Sequence, residues 1–153
     1  MSYPQYYEDM YRLYQSEVYG AATFAAAARF SRDVDKKAKW TQLMLLEEQT
    51  KLRVLKYMAD KGLSVRHPYG WVLRGELEGL AMSLAPWRWV MQQMLKATAQ
   101  YYRIFTRMLE HAAPEDQAFF DYIVLHEEAI QAFARRELAG AGDSLAATRA
   151  LLS

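Results

Sequence analysis

Apolar residues return every three or four positions along four long stretches of this chain, the spacing of a helix face rather than the alternation of a strand. The first stretch runs from about Pro4 to Arg29, with Leu13, Glu17, Ala21, Phe24 and Ala28 on one stripe. Pro4 suits a first helical turn, where its missing N–H is not needed. The second runs from about Val34 to Lys61, with Ser31 or Asp33 as cap and Gly62 as stop. Its stripe is Trp40, Leu43, Met44, Glu47, Val54 and Met58. The third runs from about Pro86 to Ala112 through Val90, Met94, Ala97, Thr98, Tyr101, Phe105 and Met108. The fourth begins at Pro114, with Glu115 and Asp116 well placed in its first turn, and carries Phe119, Ile123, His126, Ile130 and Phe133 before ending ahead of Gly140. No strand-like alternation of useful length occurs.

The connections set the expected topology. A few residues around Arg32 join the first two helices, and Ala113 and Pro114 join the last two, so each pair should form an antiparallel hairpin. Between the pairs lie 23 residues, Leu63 to Ala85. That is long for a loop in a compact domain. It is expected to cross the length of the bundle and to include a short helix near Leu73 to Leu84. An up-down bundle with a long middle loop is the alternative. The expected class is thus all-α, an antiparallel four-helix bundle over residues 1–140, followed by a tail at 141–153 that forms one or two loosely docked turns.

Composition narrows the function classes. A chain of 153 residues suits a single domain with one core. Nineteen basic against 18 acidic residues leave no electrostatic footprint for nucleic acid. No apolar run reaches the length of a membrane span. The opening MSYPQYYEDMYRLYQ lacks the basic and apolar regions of a signal peptide, and cysteine is absent. Both fit a cytoplasmic protein, and the second excludes disulfides, thiolate metal sites and cysteine nucleophiles. Phosphate loops, Gly-x-Ser-x-Gly and Cys/His zinc spacings are also missing.

Three ionisable residues interrupt the apolar stripes at mid-helix: Glu17, Glu47 and His126. A carboxylate in a core needs a partner, a proton or a metal. A di-metal carboxylate bundle assembles its site from such positions, with one Glu from each of two helices and Glu-x-x-His from each of the others. The segment HEEAIQAFARREL resembles the last metal-binding helix of the rubrerythrin branch of the ferritin-like superfamily. SEVYGAATFAAAARF is similar to the helix that offers that family its first Glu. LLEEQTKLRVLKYM and LHEEAIQAFARREL also look weakly alike, as the two hairpins of a ferritin-like fold would.

The resemblance covers Tyr11 to Leu138 and implies a ferritin-like bundle with a long crossover between helices two and three. It maps ligands onto Glu17, Glu47 and His126. Thr50 and Ile123 stand where a His and a Glu belong, and no acid lies between Glu78 and Glu110. A second register, through Glu48 and Glu128, puts Lys51 and Gln131 in place of both histidines. Either way about half of six ligands are missing, so no metal is favoured over a complete di-iron site. Three ligands could still hold one Fe, Mn or Zn ion. The favoured reading is a buried polar cluster in which Glu17 and Glu47 pair with Lys51, His126 or Lys96 on the depleted helix in place of the metal; protonation of a Glu whose pKa burial raises is the remaining remedy. The functional alternatives are metal-dependent redox or oxygen chemistry and a non-catalytic binding module using the aromatic core or the tyrosine-rich face.

Six tyrosines fall within the first 19 residues, and Tyr7, Tyr11 and Tyr14 share a face expected to build a homodimer. Trp87 and Trp89 should anchor the crossover. His67 and His111 should be solvated, and Lys36, Lys37 and Lys39 should form an exposed face.

Overall fold

A computed structural model describes residues 3–152; Ser153, the last residue of the expected tail, lies outside them. The helices are α1 (Tyr6–Phe30), α2 (Val34–Asp60), α3 (Tyr69–Leu84), α4 (Trp87–Glu110), α5 (Gln117–Leu138) and α6 (Ala146–Leu151). Among the described residues there is no strand, and no helix is long and apolar enough to cross a membrane.

Local chemistry accounts for the ends. The Asp33 carboxylate accepts from the Lys36 backbone N–H at 2.9 Å and caps α2. Gly62 and Gly140, at φ +66° and +65°, take the left-handed turns that follow α2 and α5. Pro114–Asp116 form a 3₁₀ turn rather than the first turn of α5.

The long hairpins α1–α2 and α4–α5 carry the core. Trp40, Leu43 and Leu46 pack with Val90, Met91 and Met94 in one half, while Val54, Tyr57 and Met58 pack with Ile104, Phe105 and Met108 in the other. Hence α2 and α4 run in the same direction, and the chain between them must travel back. It does so as α3, which begins a turn earlier than its apolar pattern alone indicated. Gly75 lies against Tyr19 and Thr23, and Gly79 against Thr23 and Ala27, so α3 runs parallel to α1. A Cβ on Gly79 would come 2.2 Å from the Thr23 carbonyl oxygen, which is why glycine stands there. By contrast α3 and α4 make no extensive contact.

The tail is docked more firmly than expected. Leu145 and Thr148 are buried against the bundle, and Gln49 Nε2 donates to the Leu151 carbonyl at 2.7 Å. Lys39 likewise departs from expectation: rather than facing solvent, it bridges Asp35 at 2.9 Å and Glu137 on α5 at 2.5 Å. Trp87 anchors as expected, 5.1 Å from the Trp40 ring, but Trp89 remains 52% exposed. His67 and His111 are exposed.

Candidate metal centre

The core consists of two apolar halves separated by a polar waist. Phe24, Trp40 and Phe133 belong to one half, and Leu13, Phe105 and Phe120 to the other. Between them lie Glu17 of α1, Glu47 and Thr50 of α2, Thr98 of α4, and His126 and Glu127 of α5, all buried. Glu17 and His126 are each 1% exposed and Glu47 is 5% exposed, as their stripe positions required.

Glu17, Glu47 and His126 converge. Each offers one ligand atom, and these atoms lie within 4.8 Å of one another. His126 Nε2 is 3.4 Å from a Glu17 oxygen and 3.6 Å from a Glu47 oxygen. These gaps are too long for good hydrogen bonds. Gly20, one turn after Glu17, leaves room for this arrangement: a Cβ there would sit 2.7 Å from the Glu47 carboxyl carbon.

The imidazole is held from behind. His126 Nδ1 lies 2.9 Å from the Thr50 hydroxyl, which lies 2.9 Å from the Tyr122 hydroxyl. Gln49 Nε2 donates to that phenol at 2.9 Å. With Nδ1–H donating to Thr50, Nε2 turns its lone pair toward the two carboxylates, the tautomer a metal ligand needs. Thr50 offers no atom to the Glu17, Glu47 and His126 group; it orients the His126 ring.

The electrostatics of the waist are unbalanced. Burial pushes the Glu17 carboxyl up to about 8. Glu47 is raised well above the ordinary carboxylate range, first by burial and then by the charge of Glu17. Burial pulls His126 down to about 3, so the ring stays neutral and offers no compensating cation. The lysine expectation fails on helical phase. Lys51 turns outward to pair with Glu48 at 2.8 Å. Lys96, two residues before Thr98 and so across the helix from it, is exposed and makes no ion pair among the described residues. The second register fails with it, since Glu48 is at the surface and Glu128 accepts from Tyr102 at 3.1 Å outside the waist.

Two carboxylates escaped the sequence reading. Glu127 is 5% exposed, and burial followed by the charge of Glu47 raises its carboxyl well above normal. Its signal was present, because it stands one turn after Ile123 and nearly one turn before Ile130. Asp9, 1% exposed, receives Arg107 Nη2 at 2.7 Å, Arg107 Nε at 3.0 Å and the Tyr3 hydroxyl at 2.7 Å.

Two carboxylates and a neutral imidazole are a donor set for a divalent transition metal with open positions. A buried Glu17 oxygen, Oε2, has no hydrogen-bond partner among the described residues, which fits an atom awaiting a cation. The contribution of α4 here is Thr98, whose hydroxyl donates to its own helix at the Met94 carbonyl, 2.8 Å away.

A cavity of about 310 Å³ reaches this group from the surface. Its inner end is formed by Glu17, Glu47, His126 and Glu127, and it opens where α3 and α4 part, beside the exposed Ala81, Trp89 and Ala97. The chain matches no protein-family model, no curated protein and no solved structure. The geometry defines the class of the molecule: an all-helical protein with a buried Glu/Glu/His group able to hold a metal.

Proposed function

We propose that Glu17, Glu47 and His126 are the ligands of a single Fe or Mn ion in a rubrerythrin-related, ferritin-like bundle whose di-iron site has been reduced to one metal. The observation that carries this reading is how differently the protein treats its buried carboxylates. Asp9 receives a guanidinium and a phenol, whereas Glu17 and Glu47 receive no cation. Without a cation, burial holds these carboxyls in the protonated form, and a divalent ion would take the place of those protons. The parallel course of α2 and α4, and the return of the chain along α1, support the ferritin-like comparison.

Fe or Mn held by two carboxylates and one imidazole supplies redox chemistry toward oxygen or peroxide through its open positions. The protein's own part is to fix the imidazole through Thr50, to hold the two carboxyls beside it, and to admit a reactant through the cavity. Elemental analysis of protein purified without added metal tests the reading. About one Fe or Mn per chain, lost in Glu17→Ala and His126→Ala, is the expected result; metal-free protein that gains nothing from either ion overturns it.

The cavity also favours a second reading, a non-catalytic binding module. We further propose a homodimer built partly from Tyr7 and Tyr11, which are 67% and 37% exposed; Tyr14 is buried in its own core. Light scattering showing a monomer at high concentration would count against the dimer.

A further inference from the structure

We propose that the cavity beside the waist binds a largely apolar small molecule with one hydrogen-bond-donating head group, an alcohol or an amine, placed on the Glu127 carboxyl. The inference rests on the metal reading only for what neighbours that head group.

The cavity's volume of about 310 Å³ lies at the lower end of the range for small-molecule sites. Phe24, Met82, Val90, Met94 and Ile130 make its walls mainly apolar. Small side chains on α4, Ala97 and Thr98, leave space at the height of the waist. An apolar void of this size leaves its lining without contacts that an apolar ligand would restore.

The head group follows from charge and from an unmet hydrogen bond. Neither lysine nor arginine lines the cavity, while Glu17, Glu47, Glu78 and Glu127 do. A carboxylate or phosphate head would find no side-chain cation there to pair with. Glu127, 5% exposed and at the inner end, has no hydrogen-bond partner among the described residues. Its carboxyl faces the cavity, where an O–H or N–H of a ligand can donate to it. The ligand therefore enters tail-outward, with its donor at the waist and its chain running toward Trp89 at the mouth.

Calorimetric titration of the purified protein with n-alkanols and n-alkylamines of four to eight carbons tests this, with n-alkanoates as the control series. Saturable one-to-one binding is expected. It should tighten roughly fourfold per methylene until the cavity is full, and it should exceed that of alkanoates of equal length at least tenfold. Ala97→Trp should weaken binding tenfold or more, and Ala81→Phe at the opposite lip serves if the first variant does not fold. Glu127→Leu should erase the preference over alkanoates while keeping the dependence on chain length. No saturation by any chain, equal binding by both lip variants, or preference for alkanoates would overturn the proposal. Metal content is measured on the same samples. Protein that binds octanol but holds no Fe or Mn overturns the metal reading alone, and protein that holds metal but ignores every chain overturns the cavity proposal alone.

Discussion

Raising the pH of metal-free protein acts directly on the waist, because the structure holds protons there that the unfolded chain would release. Glu17 rises from 4.5 to about 8 on folding, with burial the main cause. A raised carboxyl favours folding fully below its unfolded value and loses that contribution as pH climbs through its folded value. At about 1.4 kcal/mol per pH unit, Glu17 alone represents on the order of 5 kcal/mol between those limits. His126 acts in the opposite sense. Its folded value is near 3 against 6.5 unfolded, so its contribution is lost only as pH falls below about 6.5. From about pH 6.5 to 8 the carboxyls act alone, and Glu17 should lower the unfolding free energy by about 2 kcal/mol. Glu47, shifted in the same direction, steepens the fall. Denaturant unfolding followed by circular dichroism in the presence of chelator measures it. Metal reverses the slope, because its ligands must be deprotonated and binding then strengthens with pH. Metal-free protein whose stability stays flat or rises across this window would refute the account of the waist.

Other outcomes follow from particular contacts. Thr50→Val removes the hydroxyl behind His126, so Fe(II) or Mn(II) affinity should fall 10- to 100-fold and the metal-free protein should lose about 1–3 kcal/mol of stability; unchanged affinity would refute the orienting role. Arg107→Met leaves the Asp9 carboxylate with only the Tyr3 phenol, and should cost about 3 kcal/mol in denaturant unfolding. Adding Asp9→Asn to that variant should recover part of the loss, and strict additivity would show that the pair is uncoupled. Gly79→Ala drives a methyl into the Thr23 carbonyl and should cost about 1–3 kcal/mol. Gly70→Ala in the same helix meets nothing within 4 Å, so thermal melts should find it neutral or slightly stabilising.

Much of the molecule was readable along the chain. A helix buries one stripe, and stripe period together with Gly62, Gly140 and the Asp33 cap located α1, α2, α4 and α5 to within a few residues. The same phase argument put Glu17, Glu47 and His126 inside, because a residue between Leu13 and Ala21, or between Ile123 and Ile130, has nowhere else to point. It applied equally to Glu127, which was obscured by the acid on its other side, Glu128. It also applied against Lys96, since two residues along a helix is nearly half a turn, and Lys96 therefore faces away from Thr98.

What the chain pattern could not decide were relations between helices. Periodicity gives the inward face of each helix but not its height against its neighbours. The meeting of Glu17, Glu47 and His126 within 4.8 Å therefore became visible only once four helices were stacked in register. The role of Thr50 has the same origin. As a letter it stood in place of a ligand, but in space its hydroxyl lies 2.9 Å from the His126 ring and sets which nitrogen faces the carboxylates. The cavity is a still more collective feature, because it exists where α3, drawn against α1 by Gly75 and Gly79, stands away from α4. No residue of its lining announces a void, since an empty space is a property of what the neighbours fail to fill. The sequence by itself determined which side chains must be inside; the tertiary structure alone decided which of them meet, because distance between helices depends on packing that no single helix encodes.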